Sequence, residues 1–433
     1  MNGISPYYLL IGLSVIIILS YFFNIISKKT NIPSVLLLIL LGILIQWVNG
    51  TTHFINKDMI PILELLGIVG LIMIVLEAAL DLKLEREKWP ILWRSFLVAL
   101  LSLLATSFIT AGIIDLFLNS GFEKSLMYAI PISILSSAIV LPSVHSLTEE
   151  KKEFMIYDST FSDILGIMFF YIMIKEFSHV GDSSLLVALS TNVGITIAVS
   201  LVASYALVLI FQNLKSNVKL FLLIAVLILL YSVAKLMHLS SLLIILVFGL
   251  ILNNPSVFFR GPLKKLVSQS ALRRILIDFK LVTIESAFIV RTLFFVIFGT
   301  TIVLSQLVSF TVFMQSAAIL IFTFGIRWLF LRVIVGKDIV PQVFIAPRGL
   351  ITILLFFAIP NEFTIPGFEN GILLYVILAT SLLMTWSLIQ NKQDPEEDSL
   401  FDPEPHFEDD AIEQIVTEEL GLQPPTKSST ENE

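Results

Sequence analysis

The sequence predicts an all-α polytopic membrane protein with about thirteen transmembrane helices, built as inverted repeats with two discontinuous helices. Three observations predict it. Apolar runs of membrane-spanning length fill the chain, basic residues alternate between its loops, and broken segments recur in its two halves. Of 433 residues, 56% are hydrophobic and only 14% charged, where a soluble domain carries roughly 25% charged residues. A soluble chain of this length cannot cover so much apolar surface. A bilayer asks instead for runs of about 20 apolar residues, each a helix that satisfies its own backbone.

The segments run near 7–27, 32–50, 59–82, 94–118, 125–147, 155–177, 184–212, 218–235, 239–253, 281–304, 309–333, 340–360 and 370–390, with ends good to about 2–4 residues. The first follows Met-Asn-Gly-Ile-Ser-Pro, which lacks a basic n-region, so it reads as a retained helix. Eighteen basic residues, from Lys28 to Lys392, fall in alternate loops. Four others, Lys57, Lys124, Lys175 and Lys235, fall in the remaining ones. That asymmetry fits the positive-inside rule and places the N-terminus outside and the C-terminus in the cytoplasm of a bacterial inner (plasma) membrane.

The second and ninth segments share a pattern. Ile32–Gln46 reads IPSVLLLILLGILIQ and Leu239–Asn253 reads LSSLLIILVFGLILN, so Ser34, Leu36 and Gly42 align with Ser241, Leu243 and Gly249. The two run in opposite directions, as inverted repeats require. The fifth segment holds Pro131, Ser136, Ser137 and Pro142, and the twelfth holds Pro341, Pro347, Arg348 and Gly349. Proline removes a backbone donor and glycine loosens the turn, so both are expected to be interrupted helices. Such a pair marks the binding site of a secondary transporter.

Ionisable groups inside the bilayer cost roughly 3 kcal/mol or more, so each invites a functional reading. Asp163 in segment six, Ser136 and Ser137 in segment five, and Arg348 in segment twelve approach one plane. A carboxylate there can take either a proton or a small cation, and the two compete. Asp158 lies about 140° around the helix from Asp163 and reads as a structural group, with Arg348 its expected partner. Arg291 and Arg327 are also deep, and either can balance a carboxylate that the sequence does not single out. Glu77 and Asp81 share a face of segment three at i, i+4, as an ion vestibule or as a solvated helix end.

From Asn391 onward the chain carries 14 Asp and Glu against two Lys. Residues 1–390 therefore read as the transmembrane domain and 391–433 as a disordered acidic cytoplasmic tail. The acidity implies no nucleic acid partner. The absence of cysteine excludes disulfides and thiolate chemistry. The tail holds no nucleotide fingerprint, and no cofactor is expected.

Asp158-Ser-Thr-Phe-Ser-Asp163 resembles the E-S-L-x-N-D signature of the Na⁺/H⁺ exchanger branch of the monovalent cation:proton antiporters. Pro347-Arg348-Gly349-Leu350 is similar to the arginine-glycine motif of that branch's second broken helix. Arg291–Gly299 and Phe324-Gly-Ile-Arg327 are similar to its tenth and eleventh helices. The resemblance spans residues 7 to 390. It implies that Asp163 carries a transient Na⁺ or K⁺ or a proton, that Ser162, Ser136 and Ser137 line the site, and that Asp158 and Arg348 pair. It further implies that segments five and twelve cross at their unwound centres, and that the protein is a homodimer with segments one to three and eight to ten as its scaffold and the rest moving against them. Asp158 stands in place of glutamate and Ser162 in place of asparagine, and Ser136-Ser137-Ala-Ile-Val-Leu141 is more like the potassium-efflux branch. Na⁺ is favoured and K⁺ stays open.

The expected activity is exchange of a monovalent cation for protons, without enzymatic chemistry. A sodium-coupled organic-anion symporter needs a larger polar cavity than segments five and twelve suggest. An intramembrane hydrolase would need Ser143, His145 and Asp163 to converge, yet Ser143 and His145 point apart at i, i+2.

Overall fold

An apolar run in lipid can satisfy its peptide groups only by closing its own hydrogen bonds, so helices follow from composition here. The computed structural model describes residues 6–30, 34–52, 60–82, 84, 87–178, 185–212, 219–236, 241–259, 269–301 and 309–391. Helical structure meets all thirteen apolar segments. The helices are α1 (Pro6–Thr30), α2 (Ser34–Thr52), α3 (Ile60–Asp81), α4 (Trp89–Leu118), α5 (Phe122–Ser133), α6 (Ser137–Val140), α7 (Glu149–Ser178) and α8 (Leu185–Phe211). They continue with α9 (Lys219–Leu236), α10 (Ser241–Asn253), α11 (Pro255–Phe258), α12 (Gln269–Thr301), α13 (Phe310–Ile334), α14 (Leu350–Phe357) and α15 (Gly371–Gln390). Among the described residues there is no strand, and seven helical stretches are long and apolar enough to cross a membrane. The acidic tail after Asn391 lies outside the described residues.

Two helix groups emerge from the packing. In one, α12 lies on α2 and α3, and α10 lies on α3, α8 and α9. In the other, α4 packs on α5, α7 and α13, with α15 against α13. The seventh segment thus joins the group expected to be scaffold, because α8 packs on α10.

The glycines of the sequence echo explain part of this arrangement. Gly42 of α2 abuts the backbone of Gly299 in α12, and Gly249 of α10 abuts Ala79 of α3. Neither glycine has room for a Cβ. Each echoed helix therefore uses its glycine to approach a helix of the opposite half, as an inverted repeat implies. Small residues allow such backbone approach in a bilayer, where no hydrophobic drive brings helices together.

Both interruptions form. α5 contains Pro131 and stops at Ser133, and Ile134 is extended. After Ser136 come one turn of α6 and a 3₁₀ stretch, Leu141–Ser146, with Pro142 in its first turn. The twelfth segment departs further from a helix than its sequence suggests. Its first half is a run of turns, with Val343 N–H donating to Ile339 O (3.0 Å) and Phe344 N–H to Pro341 O (2.9 Å). Residues 345–349 carry no regular structure, and only α14, of eight residues, is helical. Pro341 and Pro347 lack the donors that a continuous helix would use.

The interruptions cross. Ser136 N–H donates to Pro347 O across 3.0 Å. Gly349 lies against Ser136 so tightly that a Cβ would overlap the serine side chain and the Cδ1 of Ile139. Gly349→Ala is therefore expected to force the crossing apart at a cost of about 1–3 kcal/mol. A thermal melt in detergent reads this as a lowered transition; an unchanged melt would show that the crossing yields freely.

Candidate functional site

Unwinding a helix inside a membrane frees carbonyls and N–H groups that must find partners. The site is built from these groups and the polar side chains that reach them. Asp163 of α7 is 2% exposed. Its Oδ2 accepts from the Ser137 backbone N–H at 3.0 Å and from the Ser137 hydroxyl in a short hydrogen bond. Its Oδ1 is buried and has no hydrogen-bond partner among the described residues, and the same holds for Ser136 Oγ. Gly166, one turn further along α7, has no room for a Cβ beside Ile134, which holds the helix against the unwound stretch.

Ser162, next to Asp163, faces the break from another side. Its Oγ accepts from the Leu135 N–H at 2.9 Å, taking up a donor freed by the interruption. Ser162, Ser136, Ser137 and Asp163 thus meet around the broken α5–α6 segment.

Asp158 points elsewhere, as its position around the helix requires. Its partner is Arg327 of α13: Arg327 Nη2 donates to Asp158 Oδ2 at 2.8 Å. This corrects the expected pairing of Asp158 with Arg348. Arg348 spends its fork on the carbonyls exposed by the two breaks, donating from Nε to Ile132 O at 2.8 Å and from Nη1 to Ala346 O at 3.3 Å. Its backbone N–H donates to Thr380 Oγ1 of α15 at 3.1 Å. Arg327 is fixed in turn, with Nε donating to Gln342 O at 3.0 Å.

The depth of Arg327 was legible in the sequence, but its neighbour was not. No sequence signal identified Thr380, because membrane helices commonly return such hydroxyls to their own carbonyls. Thr380 does that too, donating to Val376 O at 2.7 Å while accepting from Arg348.

Glu77 and Arg291 form a second, half-buried pair, between α3 and α12, at 3.2 Å. Arg291 Nη1 also donates to Ala138 O at 3.4 Å, one residue from Ser137. Arg291 therefore touches both helix groups. Asp81 ends α3, and its side chain lies outside the described residues.

The hydrolase alternative finds no support in this geometry. Ser143 Oγ donates to Ile139 O at 2.7 Å, the partner of Asp163 is Ser137, and the side chain of His145 lies outside the described residues.

The buried charges near the crossing can be summed. Asp158, Asp163, Arg327 and Arg348 are each 1–2% exposed. Two guanidiniums face two carboxylates, so the cluster is neutral when both carboxylates are ionised. Among the described residues Asp163 is the carboxylate of the two without an arginine bonded to it, and its Oδ1 has no hydrogen-bond partner there.

Two solved structures are similar to this chain in fold. The structure of the sodium proton antiporter MjNhaP1 from Methanocaldococcus jannaschii at pH 8 matches with a TM-score of 0.66 and 20% identity. That match covers 89% of this chain and 99% of the other. An electron-microscopy structure of the same antiporter matches with a TM-score of 0.62 and 18% identity, covering 98% of this chain and 100% of that one. At these identities the likeness establishes the fold alone. Comparison with curated proteins finds no match. The sequence itself matches the family described as sodium/hydrogen exchanger, transmembrane, over residues 14–390. A match over that length, on a chain with this fold, shows that the protein belongs to the sodium/hydrogen exchanger family.

Proposed function

We propose that this exchanger swaps a monovalent cation, Na⁺ in preference to K⁺, for protons at Asp163. One observation carries the reading. Asp163 Oδ2 is held by two donors from Ser137 at the helix crossing, while Oδ1 and Ser136 Oγ are buried without partners among the described residues. A carboxylate oxygen so placed can take a proton, or it can share a dehydrated cation with a hydroxyl oxygen. Hard oxygen ligands suit a small cation. It cannot do both at once, and exclusive occupancy is the requirement for exchange.

The scaffold and the moving group of helices work on this site as follows. Asp158 and Arg327 stay paired and fasten α7 to α13. Arg348 ties the two interruptions together through Ile132 O and Ala346 O. Arg291 links Glu77 of the scaffold to Ala138 beside the site, so the crossing is anchored while the groups rock. The working unit is a homodimer in the bacterial inner membrane, with its N-terminus outside and its acidic tail in the cytoplasm.

Stoichiometry follows from the charge sum. A bound proton or a bound Na⁺ each adds one positive charge to the otherwise neutral cluster, so the two loaded forms carry equal charge. Exchange is then one for one and electroneutral. In proteoliposomes, an imposed membrane potential is expected to leave the initial rate of cation-driven proton movement unchanged. A one-charge imbalance would couple the rate to about 2.3 kcal/mol per 100 mV, and rates that rise and fall with the sign of the potential would contradict the assignment. Ion choice is read by proton flux in everted vesicles given Na⁺, Li⁺ and K⁺ in turn. A response to Na⁺ and Li⁺ exceeding that to K⁺ is expected, and silence to all three would sink the exchange reading.

A further inference from the structure

Behind the ion site, between α4, the break in α5, α7 and α13, lies a cavity of about 10 Å³. That is the scale on which one water molecule fits. Its lining includes Ser102, Asp158, Thr323, Arg327 and Arg348. Three atoms of the lining residues, Ser102 Oγ, Asp158 Oδ1 and Thr323 Oγ1, are buried and have no hydrogen-bond partner among the described residues. Asp158 and Thr323 are 1% and 2% exposed. A buried polar atom without a partner keeps its full desolvation penalty, and the penalty is heaviest for a carboxylate oxygen.

The chemistry of the lining selects the occupant. A cation would sit beside two guanidiniums that face a single carboxylate, so charge opposes it. An anion would face the unpartnered oxygen of Asp158 and would need more room than one water occupies. The groups left over are one obligate acceptor and two hydroxyls, each able to donate or accept. A water molecule has two protons and acceptor capacity, and buried waters make about three hydrogen bonds to such groups.

We propose that this cavity is a binding site for one resident water molecule, which donates to Asp158 Oδ1 and to one of the hydroxyls of Ser102 and Thr323, and accepts from the other. The water completes the coordination of Asp158. Arg327 holds one carboxylate oxygen and the water holds the other, so the carboxylate is fixed between α4, α7 and α13. The cavity adjoins the ion site through Ser162, but Asp163 is not among its lining residues. The proposal therefore stands whichever ion is carried.

The test is a density map of the full chain in lipid nanodiscs, at a resolution that shows ordered waters. A single compact peak within hydrogen-bonding reach of Ser102 Oγ, Asp158 Oδ1 and Thr323 Oγ1 is expected. Thr323→Val keeps the side-chain shape and removes one partner, and it should weaken or abolish the peak. A dry cavity, or the three groups bonded directly to protein atoms, overturns the proposal. So does a peak of full height in Thr323→Val, or one that strengthens when bromide replaces chloride, which would mark an anion.

Discussion

Asp163→Asn should abolish cation-driven proton movement in everted vesicles while leaving the protein in the membrane at normal abundance. The amide keeps the size of the side chain but cannot alternate between proton and cation. Its oxygen can still accept from Ser137, where Asp163 Oδ2 now accepts from both N–H and hydroxyl, so the crossing should survive. The buried Asp163 has no arginine bonded to it, so neutralising it leaves no carboxylate salt bridge broken. Function and stability are thereby separated at one position. Exchange at near-normal rate in the variant would remove Asp163 from the mechanism.

The second large effect belongs to Asp158 and Arg327. Their bond at 2.8 Å joins α7 to α13 between side chains that are 1% and 3% exposed. Removing one partner of such a pair strands a charge in a dry interior and typically costs about 3–5 kcal/mol. Asp158→Asn and Arg327→Met should each lower the thermal transition strongly in detergent. Combined, they remove both charges, and the double variant should be less destabilised than the sum of the two. Strict additivity would deny the coupling. Arg348→Met is the comparison. Its guanidinium serves backbone carbonyls rather than the carboxylate, so combining it with Asp158→Asn should recover much less.

The contrast between these arginines shows where sequence reasoning reached its limit. The helices were legible because the bilayer leaves an apolar run one way to satisfy its backbone. The interruptions were legible because Pro131, Pro142, Pro341 and Pro347 lack donors wherever they fall. The choice of Asp163 over Asp158 followed from five residues of helix, which turn the two to different sides. The partner of Asp158 depends on which helix lies against α7, and that is a tertiary fact. Reading Arg348 as a charge in search of a carboxylate overlooked a competing demand. Breaking two helices leaves carbonyls at Ile132 and Ala346, and a guanidinium beside them meets that need first.

The twelfth segment is interrupted, as expected, but less of it is helical than its sequence suggests. Its apolar composition is that of a span, but Pro341 and Pro347 leave helix only from Leu350 to Phe357. The glycine echo between α2 and α10 was faint in sequence, with three matched positions. Its physical basis appears only when Gly42 and Gly249 are seen abutting helices of the opposite half. Thr380 and the hydroxyls lining the cavity behind Asp158 left no signal, since a serine or threonine in an apolar helix looks alike whether it serves its own backbone or a neighbour.

The central claim is that cation and proton compete for one carboxylate. It is tested most directly by titrating Na⁺ into the purified, lightly buffered protein and following proton release with a pH indicator. In the pH range where Asp163 is protonated, about one proton should leave per cation bound. By linkage, each tenfold rise in proton concentration should weaken the apparent Na⁺ affinity about tenfold. Binding of Na⁺ without proton release, at an affinity indifferent to pH, would contradict the account.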